Sequence, residues 1–298
     1  MSPSIFAFTA VGKHNVSKEK FMIGAIIGDI VGSRFEFIED DDRGKNFTFY
    51  TGACRATDDT FMTVAVAQAL FLCKGDYSAL AEKTINCMRN VAKAHPNTGW
   101  GEKFYHWLFD SNSSAPINSF GNGAGMRISP VGWVADSEEE LKQLSQIVTG
   151  VTHNHPEGLK GGEAIALCVY LSRTGADKQT IRKRAAEYYP ILNDKSFTIA
   201  NLQVSYGYDM LGNWVTCQGS VPHAVLAFLE SESFEDAVRN AVSIGGDSDT
   251  IGAMAGSIAE AFYGVPSDLE ERALTYLSDD LKGIYYAFEL IRKPRVER

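Results

Sequence analysis

Apolar side chains recur at three- and four-residue spacings through most of this chain, and the strict alternation of a half-buried strand is nearly absent. That regularity restricts the fold to the all-α class. Helical stretches are expected at 23–35, 58–72, 78–94, 138–150, 161–173, 178–188, 221–230, 234–243, 249–263 and 267–277. Four segments between them, 36–56, 110–134, 152–160 and 190–220, read as long loops, and loops of that length in a compact domain are usually functional or disordered. Gly24, Gly28 and Gly32 keep a four-residue spacing that lines one helix face and lets a second backbone approach it closely. A dinucleotide-binding glycine loop has a different spacing.

With 298 residues and 45% hydrophobic composition the chain can bury a large core. Residues 22–298 are expected to form one domain, and 1–21, which show no periodicity, a flexible N-terminal extension. Cys54, Cys73, Cys87, Cys168 and Cys217 are odd in number and never spaced as CxxC, so neither a disulfide framework nor a zinc site is expected. A reducing, cytoplasmic location fits that usage. The net charge of -9 argues against a chain that wraps nucleic acid, whose backbone is bound by clustered Lys and Arg. Only the tail Arg292-Lys293-Pro294-Arg295 is basic. No apolar run approaches the roughly 18 residues of a spanning helix, so no membrane partner is expected. Oligomeric state has no signature in the sequence.

Two short segments carry most of the chemistry: Thr57-Asp58-Asp59-Thr60 and Gly245-Gly246-Asp247-Ser248-Asp249-Thr250. Each stands immediately before a run of small and apolar residues with helical spacing. Either segment could simply cap its helix, with Thr57, Asp58, Asp247 or Ser248 accepting orphan N–H groups. One cap needs one acid, however, and each segment has two. Paired carboxylates repel one another unless a cation lies between them, so four at two buried helix starts point to metal. Carboxylate and hydroxyl oxygens suit Mg²⁺, Mn²⁺ or Ca²⁺ rather than zinc. No EF-hand loop is present. The small residues Gly252, Ala255, Gly256 and Ala259 would let the second helix run through the centre of a bundle and bring its acids to face the first pair.

The segments GAIIGDIVGSRFE (24–36), TDDT (57–60), GNGAGMR (121–127), THNHP (152–156) and GGDSDTIGAMAGSIAEAFYG (245–264) together resemble the ADP-ribosylglycohydrolase family, in order from about residue 22 to 266. The resemblance implies a compact orthogonal helical bundle with a central dinuclear metal cleft and two Mg²⁺ ions, for which Mn²⁺ could substitute. It implies Thr57, Asp58, Asp59, Asp247, Asp249 and Thr250 as ligands. Glu36 would stand beside the metals at the end of the first helix as a further ligand, and Ser248 would face away.

Ser119-Phe120-Gly121-Asn122-Gly123 is rich in glycine, so its N–H groups can approach an anion; alone it reads as an ordinary turn. In the family's order it resembles the loop that cradles the diphosphate of ADP-ribose, with Phe120 packing on the ligand or back onto the core. His153 and His155 lack the third His or Cys of a zinc site, and the resemblance makes them contacts to substrate. Tyr206, Tyr208, Trp214 and Cys217 form an aromatic stretch that reads as a substrate rim or as surface packing. Cys217 has no neighbouring base to make it a nucleophile.

The activity implied is magnesium-dependent hydrolysis of the bond between ADP-ribose and an acceptor, which could be arginine, serine, a nucleic-acid base or a small conjugate. Glu36 is the first choice for the group that takes the water's proton, with Asp58 and Asp59 polarising the water. Some relatives place a catalytic Asp before the glycine-rich segment, where this chain has Ile117-Asn118-Ser119-Phe120. Two rival readings share the same pocket: a dinuclear phosphoesterase or diphosphatase, and an inactive ADP-ribose-binding protein.

Overall fold

A computed structural model describes residues 22–38, 44–110, 113–204 and 214–296. The expected extension at 1–21, and Tyr206 and Tyr208 of the aromatic stretch, lie outside the described residues. In chain order the helices are α1 (Ile23–Gly32), α2 (Asp58–Cys73), α3 (Leu80–Ala94), α4 (Glu102–Tyr105), α5 (Gly123–Met126), α6 (Ser129–Val134), α7 (Glu138–Gly150) and α8 (Pro156–Arg173). They continue with α9 (Lys178–Ala186), α10 (Ile199–Val204), α11 (Cys217–Leu229), α12 (Phe234–Ile244), α13 (Ser248–Tyr263), α14 (Ser267–Leu274) and α15 (Asp279–Phe288). No strand occurs among the described residues beyond one isolated bridge between Gly121 and Thr216, so the all-α expectation holds.

The middle of the molecule is α13, buried from Ser248 to Ala261 and packed by α1, α12, α11 and α8. Its small residues allow this. A Cβ on Gly28 would lie 1.9 Å from the carbonyl oxygen of Gly252, and one on Gly256 would lie 2.2 Å from that of Gly24. The two helices therefore touch backbone to backbone, closer than side chains permit. Gly32 continues the same contact against Ser248 and Asp249, which brings the C-terminal end of α1 to the acidic start of α13. Near the other end, the buried Glu260 carboxylate of α13 accepts hydrogen bonds from the Ile23 and Gly24 N–H groups at 3.1 and 2.9 Å, satisfying two orphan donors at the start of α1.

Several boundaries differ from the expectation. The first helix stops at Gly32 rather than Phe35, because the chain then turns so that Phe37 N–H donates to the Gly246 carbonyl at 2.9 Å. The expected loop 110–134 contains α5 and α6, the expected loop 152–160 contains the start of α8 at Pro156, and 190–220 contains α10 and the first turn of α11. Thr57 occupies the cap position of α2 but makes no side-chain cap; its hydroxyl is drawn to Asp29 instead.

Candidate metal centre and substrate cleft

The two acidic segments meet. Thr250 Oγ1 donates to Asp59 Oδ2 at 3.2 Å, linking the start of α13 to the start of α2. Carboxylate oxygens of Asp29, Asp59 and Asp249 lie within 4.8 Å of one another, and so do those of Glu36, Asp247 and Asp249. Asp249 belongs to both groups. Asp58, half-buried, lines the same cavity on the side of Gly99. Thr57 and Asp247 occupy the cap positions of α2 and α13 and neither makes a side-chain cap, while the Ser248 hydroxyl donates to the Phe35 and Gly246 carbonyls.

Asp29 is a residue that pattern reading passed over. Its carboxylate is buried and accepts from Thr57 N–H at 2.9 Å, Thr57 Oγ1 at 2.6 Å, Thr60 N–H at 3.1 Å and the Thr60 hydroxyl. These four bonds clamp the first turn of α2 against α1. The available signal was a lone charge in a helix whose other residues are apolar or glycine, a placement that buries a carboxylate unless something uses it.

The turn after α1 carries Glu36 into the cluster. Phe37 adopts a left-handed φ of 51° and its N–H is tied to Gly246, while Ser248 Oγ reaches the Phe35 carbonyl at 3.4 Å. Ser248 thus points away from the acids, as expected. Burial is the main cause that holds the Asp58, Asp59 and Asp249 carboxyls well above the usual carboxylate range, and the neighbouring acids push the same way. Glu36 is raised by burial and then by Asp247 and Asp29, with Arg55 opposing. Asp59 Oδ1 is buried and has no hydrogen-bond partner among the described residues. Carboxylates so placed, with an orphaned oxygen among them, fit a hard cation.

A cavity of about 490 Å³ opens over the cluster. Its wall includes Glu36, Asp58, Asp59, Asp247, Asp249 and Thr250 together with Ser119, Gly121, Asn122, Gly123 and His153. Thr57, Phe120 and His155 are not in that wall. The ring of Phe120 packs on that of His155, centroids 5.2 Å apart, and His155 Nδ1 accepts from Glu157 N–H at 3.1 Å as the cap of α8. Asn122 is also committed: its amide donates to Asp247 Oδ2 at 2.6 Å and to the Trp214 carbonyl at 3.2 Å. The glycine segment is anchored by Asn122 N–H on the Val215 carbonyl and by Cys217 N–H on the Phe120 carbonyl. Trp214 itself packs over Gly246 and on the His223 ring. Burial raises the Cys217 thiol to about 12, in keeping with its exclusion as a nucleophile.

The family model for ADP-ribosylglycohydrolases matches residues 19–294. ADP-ribosylhydrolase ARH3 of Homo sapiens is 25% identical over 334 residues, covering 87% of this chain and 90% of that protein. ADP-ribosylarginine hydrolase Tri1 of Pseudomonas putida is 26% identical over 269 residues, covering 82% and 70%. Among solved structures, an ADP-ribosylglycohydrolase-related protein complex superposes with a TM-score of 0.64 at 20% identity, over 91% of this chain and 95% of that one, which shows a shared fold. Since the family match runs from before α1 to beyond α15, the protein belongs to the ADP-ribosylglycohydrolase family and is a hydrolase of glycosyl bonds in ADP-ribosylated acceptors.

Proposed function

We propose that this enzyme releases free ADP-ribose by magnesium-dependent attack of water at the anomeric carbon of the acceptor-linked ribose. The observation that carries the reading is Asp249, whose carboxylate is shared between two acidic groups and so fits two adjacent cation positions. Thr57, Asp58, Asp59, Asp247, Asp249 and Thr250 would hold the ions, with Glu36 beside them. The Thr57 and Thr250 hydroxyl protons are directed at Asp29 and Asp59, which leaves oxygen lone pairs for a cation. An oxygen-only set suits Mg²⁺, with Mn²⁺ as a substitute. When bound, such a pair supplies positive charge and orients sugar hydroxyls and a water.

The chain's own residues do the rest. Glu36, half-buried and lining the cavity, accepts the proton of the attacking water. The oxygen–carbon bond forms as the bond from the anomeric carbon to acceptor nitrogen or oxygen breaks, the electron pair leaves with the acceptor atom, and the proton taken up by Glu36 passes to that atom; the acidic surroundings favour the positive character the sugar gains. The glycine segment 121–123 and His153 line the same cavity and are suited to the diphosphate. No acid stands at 117–120, which leaves Glu36 in the role of base. Arginine, serine, a base or a small conjugate could each serve as acceptor. Five free and buried cysteines support a reducing compartment, the cytoplasm. Among the described residues no helix is long and apolar enough to cross a membrane.

Product analysis tests the reading. Incubated with Mg²⁺ and a panel of ADP-ribosylated arginine, serine and base substrates, the enzyme should liberate ADP-ribose from at least one, and EDTA should stop it. AMP as the product would instead place the attack on the diphosphate and overturn the assignment.

A further inference from the structure

Arg127 is enclosed, with 1% of its surface exposed, yet among the described residues it pairs with no carboxylate, and its Nε and Nη1 atoms have no hydrogen-bond partner. A buried guanidinium without a counter-charge is costly, and nothing in the helical packing requires one. Burial lowers its proton affinity to about 10, so it still carries its charge near neutral pH. It lines the cavity beside His153.

Its remaining nitrogen shows what it does. Arg127 Nη2 donates to Thr152 Oγ1 at 2.6 Å and lies 3.3 Å from His153 Nδ1, while Thr152 Oγ1 is 2.7 Å from the same Nδ1. A guanidinium can only donate. Thr152 Oγ1 therefore accepts from the arginine, and its own proton is free to go to Nδ1. Nδ1 faces two donors, which leaves the single proton of a neutral imidazole on Nε2. That atom looks at the glycine segment: a Cβ would lie 3.1 Å from it on Gly123 and 3.6 Å on Gly121. Burial, and then the Arg127 charge, oppose a second proton on the ring. Thr152 also ties down the approach to the glycine segment, since its carbonyl accepts from Ile117 and Ser119 N–H groups at 3.2 and 3.4 Å.

We propose that Arg127 and Thr152 are positioning residues: the hydrogen-bond chain from Arg127 through Thr152 to His153 presents a fixed Nε2–H donor, backed by the guanidinium charge, to the diphosphate of ADP-ribose at the Gly121–Gly123 end of the cleft. The choice of occupant rests on the function proposed above. A neutral N–H donor with a buried cation behind it is suited to recognising an oxyanion.

Nitrogen-15 spectra of histidine-labelled protein test the tautomer directly. Nε2 should resonate in the pyrrole-like range and Nδ1 in the pyridine-like range. Thr152→Val, which keeps the shape and removes the relay, leaves Nδ1 only the longer Arg127 contact, and should raise the share of the Nδ1–H tautomer and weaken ADP-ribose binding about tenfold with kcat little changed. Inhibition by adenosine, which lacks the diphosphate, should not move, and Thr152→Ser should restore both affinity and tautomer. A proton on Nδ1 in the wild-type enzyme, a valine variant with unchanged affinity, or equal losses for adenosine and ADP-ribose would each overturn the proposal. A wild-type protein with the Nε2–H tautomer that binds no ADP-ribose would instead defeat the functional reading, and with it the diphosphate as occupant.

Discussion

Asp249→Asn is expected to lower kcat/KM by about a thousandfold, the equivalent of roughly 4 kcal/mol of transition-state stabilisation, which is within what a metal pair contributes. The reason is position rather than charge alone. Asp249 is common to both acidic groups, so under the proposed metal assignment its loss would weaken two cation sites at once, whereas Asp59 or Asp247 would serve one. The same substitution should make the ion-free protein more stable, because it removes one of several mutually repelling carboxyls from a buried region. Burial and neighbouring acids hold Asp58, Asp59 and Asp249 well above the usual carboxylate range. A group whose folded pKa is raised contributes stability below its unfolded pKa and loses it as pH rises through the folded value. The ion-free enzyme should therefore weaken as pH rises, and Mg²⁺ should stabilise it more at pH 8 than at pH 5.5. Thermal melts with EDTA and with Mg²⁺ read both effects. An asparagine variant that turns over normally, or that gains as much stability from Mg²⁺ as the wild type, would contradict the assignment.

Asp29→Ala should be the most damaging change outside the cavity wall. It leaves the N–H and hydroxyl donors of Thr57 and Thr60 without their acceptor in a place water does not reach. Orphaned buried donors of this kind cost about 1–3 kcal/mol each, partly offset here by removing a buried carboxyl, so a net loss of about 3 kcal/mol is expected. Activity should fall at least about a hundredfold, because the turn that carries Asp58 and Asp59 is no longer held against α1. Denaturant unfolding and turnover measured on the same preparation give both numbers. Wild-type stability together with wild-type turnover would show that the clamp is dispensable.

What could be read from the chain follows the length of its regularities. Helices with a stripe over several turns are visible: 138–150 coincides with α7, and 249–263 misses α13 by one residue. Ser129–Val134 is too short to show a period, and its Pro130 and Gly132 read as loop signals. The helix expected from 221 begins at Cys217, four residues earlier, with a cap from Thr216, and it carries Pro222 inside its second turn, a residue that interrupts rather than announces a helix. The helix Asp279–Phe288 went unread altogether. The spacing of Gly24, Gly28 and Gly32 was informative because backbone contact with α13 leaves no other residue type sterically possible.

The site divides the same way. Asp58, Asp59, Asp247 and Asp249 stand out in the sequence because adjacent acids at a helix start repel one another, and the fold brings all four to one cavity. Asp29 is one acid among apolar neighbours, and only the fold shows that Thr57 and Thr60 converge on it. Phe120 and His155 read as ligand contacts from their place in the motifs, and what the fold adds is that their rings pack on each other. Arg127 and His153 are 26 positions apart, and no local pattern reports that a hydroxyl between them completes a hydrogen-bond chain.

The most direct test of the metal assignment is a crystal of the full chain grown or soaked with Mn²⁺ and measured for anomalous scattering. Two peaks are expected, both within coordinating distance of Asp249, one toward Asp59 and the other toward Asp247. A cleft without anomalous density at a saturating Mn²⁺ concentration, or peaks bound only elsewhere on the surface, would contradict the account.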